Sequence, residues 1–488
     1  MTVLDTKNDR RFLGHPIGLG WLAFSEFWER FSYYGMQALL VLYMTNFLLL
    51  PGHVDNVFAF GPFRAFIEGA YGQLSPQALA STIFGLYAGL VYLTPIFGGF
   101  LADRVIGRTN AVTIGALLMA IGHFLMAFEA SFLGALLCLL IGVGFFKGNI
   151  ASQVGELYGP GDSRRADAFQ VFLMSVQIAV ILSPLVCGTL GEKMCTNDLP
   201  WSHDICARFG QTAGWHFGFG AAGVGMLIGL ATYLAGRRSL PPDPIAQRKA
   251  EPAATRPKLT RNDGIRIAVL VALLPVLAVS LVGNQQIFNS YIIWAGSHYQ
   301  LVFRGETMPL TWLLSFDAFF SAITIIAAVG FWRWWSTKWT EPDEITKITI
   351  GVVIAALAPL TLAAASSIVA STHEKVGLGW AVAFHVINDL GFANVLPVGI
   401  ALYSRASPKG ITGIVIGIYY THLFIGNNLV GYLGQLYEKM TPVNFWLMHV
   451  ALMLGAAAIL IVVRFAVGRI LAPGYDHKPD VAEAELAA

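Results

Sequence analysis

Apolar runs of about twenty to thirty residues recur along the whole chain, and they restrict the fold more than any other feature. They fall at 21–50, 79–101, 109–128, 132–157, 166–192, 215–236, 266–296, 309–335, 346–370, 378–404, 411–436 and 443–471, each bounded by polar, glycine or proline breaks. A helix crosses ~30 Å of hydrocarbon with about 20 mostly apolar residues, so the pattern predicts twelve spanning helices. The runs are too long and too continuous for barrel strands, which alternate over about ten residues. A hydrophobic share of 56% against 12% charged places the 488-residue chain in the integral membrane class. The net charge of +2, with no long basic tract, argues against a nucleic-acid partner. Residues 1–15 are polar and the first apolar run is too long and too charged for a signal core, so it reads as a retained first span.

Orientation follows from Lys and Arg. With the N-terminus in the cytoplasm and alternation thereafter, inside segments hold about 23 of these residues and outside segments about 6, a strong positive-inside bias. Both termini then lie in the cytoplasm. The segment GRRSLPPDPIAQRKAEPAATRPKLTRND, 236–263, is rich in Pro, Ala, Lys and Arg and reads as a cytoplasmic linker. It divides the chain into residues 1–236 and 265–488, joined by 237–264, and two six-span halves describe a secondary transporter. Cys138 and Cys187 sit in apolar runs and read as packing residues. Cys195 and Cys206 flank a polar loop assigned to the outside, where they form either a disulfide or two free thiols.

Charges within the spans carry the chemistry. In the first span Glu26, Glu29, Arg30, Tyr33 and Gln37 recur at steps of three and four and form one helical stripe. A charge at membrane depth costs at least ~2.5 kcal/mol, so such a stripe faces protein or water. Lys147, in GVGFFKGNIASQVG of the fourth span, needs a carboxylate for the same reason, and Glu26 or Glu29 is the expected partner of both Lys147 and Arg30. A static ion pair that only holds the bundle together is the alternative. Buried ion pairs add little net stability, which favours proton binding or substrate contact.

These residues also resemble a known pattern. EFWERFSYYGM is similar to the ExxERFxYY signature of the proton-dependent oligopeptide transporter family, a branch of the major facilitator superfamily. LTPIFGGFLADRVIGRTNAVTIGALLMAIGH resembles the family's second-to-third-span segment. GVGFFKGNIASQVGELYGPGDSRRADAFQVFLM, GWHFGFGAAGVGMLIGL, PVGIALYSRASPKGITGIVIG and GNNLVGYLGQLYEKM follow in the family's order. The resemblance implies an all-α major facilitator fold with two six-helix bundles. It also implies inward-driven uptake of di- and tripeptides with protons as coupling ion and no other cofactor. Residue by residue, Glu26, Glu29 and Arg30 match the proton-coupling motif, Tyr33 and Tyr34 its tyrosines, and Lys147 the fourth-span lysine. Asp103, Arg104 and Arg108 match the turn that braces helices, and Trp294 has no counterpart. The short linker leaves no room for the two extra helices of many bacterial members, so twelve are expected.

Against that pattern, Gln37 stands where the family has an arginine for the peptide carboxylate, and Phe392 where it has a tenth-span glutamate for the peptide amine. Leu396 replaces a serine, Gln285 the seventh-span acid, and Leu173, Met174 and Gln177 a Tyr-Met-x-x-Asn set. Losing one of two facing charges would strand the other, whereas losing both leaves the cavity balanced and points to altered selectivity. Asp389, with His385, and Asp317 are expected as substitute acids, the alternative being a local His385–Asp389 pair. Substrate contacts are expected from Tyr33, Tyr34, Gln37, Lys147, Gln177, Gln285, Asn289, Asp389, Phe392 and Asn427, while His422 reads as packing. The overall expectation is a monomeric, multi-pass symporter of the cell membrane for short peptides or peptide-like solutes. A non-peptide organic solute and a non-transporting peptide sensor are the alternatives. An enzyme is not expected: HExxH, GxSxG and ligand-spaced Cys/His clusters are all absent from the sequence.

Overall fold

The computed structural model describes residues 9–159, 162–195, 202–210, 212–243, 260–408 and 411–471. Among them ten helices are long and apolar enough to cross a membrane. The chain runs through α1 (Ile17–Tyr43), α2 (Phe60–Tyr71), α3 (Pro76–Leu101), α4 (Arg108–Leu125), α5 (Phe132–Glu156) and α6 (Arg164–Ser183). Then follow α7 (Thr189–Lys193), α8 (His203–Phe209), α9 (Ala213–Gly236), α10 (Arg261–Ser280), α11 (Val282–Gln285) and α12 (Ser290–His298). A hairpin of β1 (Val302–Phe303) and β2 (Glu306–Thr307) leads to α13 (Trp312–Ser336), α14 (Glu344–Thr372), α15 (Gly379–Ala406), α16 (Thr412–Gly434) and α17 (Pro442–Leu471).

Twelve spans were expected from hydropathy, and two of those segments fall short of the ten. The first, α1, is 27 residues long but carries Glu26, Glu29 and Arg30. The third, α4, has only 18 residues, with Arg108, Asn110 and His123 among them. The run 266–296 is also not one helix. It breaks after Ser280 and again at Gln286–Asn289, where Asn289 leaves helical geometry (φ −125°, ψ −106°). The cause is side-chain competition: Gln286 Oε1 accepts the Ser290 amide at 3.2 Å, taking a donor the next helical turn would use. Most of the expected linker, 244–259, and the expected cytoplasmic termini at 1–8 and 472–488 lie outside the described residues.

Contacts divide the chain into two compact units. The first holds residues 1–254, 286–319 and 430–439; the second holds 255–285, 320–429 and 440–488. In the first, α1 packs on α6 and α9, and α5 on α3 and α4. Glycines set the closest approach. A Cβ on Gly98 would lie 2.0 Å from the Gly144 carbonyl oxygen, so only hydrogen fits between α3 and α5. In the second, α14 packs on α15 and α17, and α10 on α17. There Gly391 plays the same part: a Cβ on it would lie 2.6 Å from the Ala355 amide nitrogen. Helix starts are chemically specified: Ser75 Oγ accepts the Ala78 amide at 3.2 Å, Thr260 and Asp263 form a capping box, and Asp343 caps α14 through the Thr346 amide at 2.8 Å.

Candidate functional site

The stripe on α1 is buried in the first unit. Glu29 has no exposure, Glu26 3% and Arg30 5%. Arg30 Nε donates to Glu26 Oε1 at 2.7 Å and lies 2.9 Å from Glu29 Oε2. The second contact is an ion pair without hydrogen-bond alignment: among the described residues, Glu26 Oε2 and both Glu29 oxygens accept no hydrogen bond. One guanidinium therefore serves two sealed carboxylates. An excess buried anion is costly, so a proton or another cation balances the group. The i, i+4 step from Glu26 to Arg30 makes the first pairing local, and one further residue brings in Glu29.

Lys147 on α5 is half-buried, and its ammonium stands over the Tyr92 ring at 4.6 Å. No carboxylate of the described residues lies within 4.0 Å of it; Lys147 interacts with Glu29 and Glu26 only through longer-range electrostatics, and its close contact is the cation–π one. The register of α5 against α3 decides this, and tyrosine 92 had no signal in the sequence pattern. Tyr33 and Tyr34 stack edge to face at 5.1 Å, and Tyr34 meets Phe288 at 6.3 Å. Gln37 is buried and its Oε1 accepts no hydrogen bond. Gln177 is half-buried on α6 beside the exposed Leu173 and Met174. Asn289 is sealed and donates to the Val430 carbonyl at 3.3 Å. Asp317 is half-buried on α13.

In the second unit Gln285 donates to the neighbouring Asn284 side chain at 2.9 Å. Asp389 and His385 are buried on α15, with ligand atoms within 4.8 Å of each other, and Asn388 Nδ2 donates to Asp389 Oδ1 at 3.1 Å. Phe392 is half-buried one turn on. Asn427 and His422 bond their own helix, through the Leu423 carbonyl at 2.8 Å and the Tyr419 carbonyl respectively.

At one end of the first unit, Asp103 and Glu156 both bind the Arg108 guanidinium, the former at 3.1 Å, while the Arg108 amide donates to Asp243 at 2.6 Å. Arg104 lies over Phe100 at 4.4 Å. Elsewhere Glu192 accepts three hydrogen bonds, from the Leu310 amide (2.8 Å), the Thr311 amide (2.9 Å) and the Thr311 hydroxyl (2.7 Å). Asp243, Glu156 and Glu192 were not anticipated; the acid in TLGEK at the end of an apolar run was the available signal for Glu192. Cys195 and Cys206 form a disulfide, with Cα atoms 5.4 Å apart.

Comparison with known proteins gives a consistent set. The model of the POT family (PTR2) matches residues 109–252 and 255–449. The peptide transporter YePEPT of Yersinia enterocolitica is 28% identical, over 95% of this chain and 96% of its own. A di-/tripeptide transporter of Lactococcus lactis subsp. cremoris is 30% identical, over 70% of this chain and 57% of its own. A crystal structure of peptide transporter POT in complex with sulfate superposes with a TM-score of 0.75 at 25% identity, covering 95% of this chain and 97% of that one. A mutant of peptide transporter POT in complex with alafosfalin gives 0.74 at 26%, covering 94% and 97%.

Proposed function

Because the chain belongs to the POT family of transporters, we propose that it imports short peptides or peptide-like solutes with protons, through a substrate site of altered charge. It is an all-α, multi-pass membrane protein and a proton-coupled transporter of the alternating-access type, not an enzyme. The finer reading rests on one observation: Glu26 and Glu29, both sealed from solvent, share a single guanidinium. Removing or adding one proton there changes the charge of a dry site by one unit, which repacks its partners. Glu29, whose oxygens accept no hydrogen bond, is the proton carrier, with Glu26 holding Arg30 in place. Lys147, close to α1 and held by Tyr92, answers that change.

Substrate selection on α1 falls to neutral groups. The unsatisfied Gln37 oxygen and the Tyr33–Tyr34 pair supply donors and acceptors where an arginine clamp is missing, and Asp389 supplies the second unit's acid. Gln177, Gln285, Asn289, Phe392 and Asn427 are assigned weaker contacts in that site. A ligand without a free carboxylate avoids the cost of an unpaired buried charge. The reading includes twelve spans in two six-helix halves about the 237–264 linker, both termini in the cytoplasm, and a monomer.

Segments 286–319 and 430–439 belong to the same compact unit as the N-terminal helices, which supports a shut gate at that end. Glu192, the Trp312–Thr189 bond at 2.9 Å and the Gln77–Gly434 bond at 3.3 Å hold it. The test is uptake into proteoliposomes. Glu29→Gln is expected to abolish accumulation driven by a pH difference while substrate exchange across the bilayer persists. Undiminished accumulation by that variant would sink the assignment.

A further inference from the structure

Between the first two apolar runs the chain inserts a short helix, α2, with two opposite apolar faces and its charges to one side. Phe60 and Ile67 are buried, at 4% and 3% exposure, and with the partly buried Phe63 they pack the helix on the core of the first unit. Pro62, Ala65, Phe66 and Gly69 follow the i, i+3, i+4, i+7 rule on the opposite face, and all four are exposed. Phe66 is 77% exposed, and Phe58, just before the helix, is 81%. The charges are drawn to the side. Arg64 Nε donates to Glu68 Oε1 at 2.9 Å, Arg64 also donates to the Leu74 carbonyl at 3.1 Å, and Glu68 accepts the Leu74 amide at 3.1 Å. Water gains nothing from such a face.

Its depth is fixed by two tethers. The Phe58 amide donates to the Ala130 carbonyl at 3.1 Å, in the turn between α4 and α5. His53 and Asn56 bind Glu129 in the same turn, at 2.7 and 2.8 Å. That turn carries Phe128, 65% exposed, at the very ends of two spans. At its other end, Tyr71 stands five residues before Pro76, the first residue of α3. The helix is thereby tied to the turn at the ends of α4 and α5, the level where those two apolar helices stop, and that turn bears the exposed Phe128. Aromatic and apolar side chains are stable at that level, and a charge-free face suits it.

We propose that α2 is an interfacial helix, with Phe58 and Phe66 seated in the lipid leaflet at that end of the spans. Site-directed spin labelling tests this. Phe66→Cys is labelled on a Cys138→Ala background in proteoliposomes, Cys187 being buried and Cys195–Cys206 bridged. Collisions with oxygen are expected to exceed those with a water-soluble nickel chelate several-fold, and Asp55→Cys is expected to show the reverse. Nickel-dominated collisions at position 66 would overturn the proposal. So would low accessibility to both reagents, which would mean that a second copy of the chain covers the face. If Phe66→Cys fails to fold, Ala65→Cys reports on the same face with the same criteria.

Discussion

At the scale of single residues, two carboxylates compete for one guanidinium. Glu26 has the aligned bond and Glu29 the unaligned contact, so their neutral replacements should differ. Glu26→Gln is expected to loosen Arg30 and lower thermal stability by about 1–3 kcal/mol, the cost of leaving a charged group poorly paired. Glu29→Gln is expected to leave stability within about 1 kcal/mol, since no hydrogen bond is lost, yet to eliminate proton-driven uptake. Melting curves in detergent and uptake under an imposed pH gradient separate the two. The stripe itself was legible, because steps of three and four put charges on one face whatever the helix packs against. Tyr92 beneath Lys147 was not, since no local spacing relates a residue on α3 to one on α5.

At the scale of elements, contact distances between helices are set by hydrogen atoms. Gly98→Val is expected to force α3 from α5 and lower the melting temperature by several degrees, because the new Cβ would sit 2.0 Å from the Gly144 oxygen. Helix caps give a second test. Burial alone would favour a neutral Asp343, but the Arg464 guanidinium and the Thr346 amide outweigh it and hold this carboxyl below its usual range. A carboxyl with a lowered folded-state value stabilises fully above the ordinary aspartate range near pH ~4, and that stabilisation fades as pH falls through the lowered value. Asp343→Ala should therefore cost about 1 kcal/mol at neutral pH, and progressively less below pH ~4, in thermal melts. Most helices follow the hydropathy runs. The seventh does not, because its glutamines and asparagines, read as span residues, are also competitors for backbone donors.

At the scale of the whole molecule, the proposed alternating access requires that the end held by Glu192 can open. Glu192→Ala removes the acceptor for two backbone amides and one hydroxyl. It is expected to raise the labelling rate of a cysteine placed at Thr189 by a membrane-impermeant thiol reagent. An unchanged rate would show that Glu192 is only a packing contact. Substrate preference belongs to this scale too. In thermal-shift screens, capped peptides or peptides lacking a free carboxylate are expected to stabilise the protein more than their free parents. The opposite ranking would mean that Gln37 and Phe392 matter less than their chemistry suggests.

The sequence by itself determined the membrane class, the run of helices, the ionisable stripe of α1 and the family, because each depends on composition, local periodicity or contiguous motifs. Tertiary structure decided the rest: which cation meets which carboxylate, that segments 286–319 and 430–439 join the N-terminal helices, and that α2 carries a bare apolar face. Those outcomes turn on helix register and approach, where one residue of rotation moves a side chain by about 100° around its helix, and no local pattern in the chain encodes that angle.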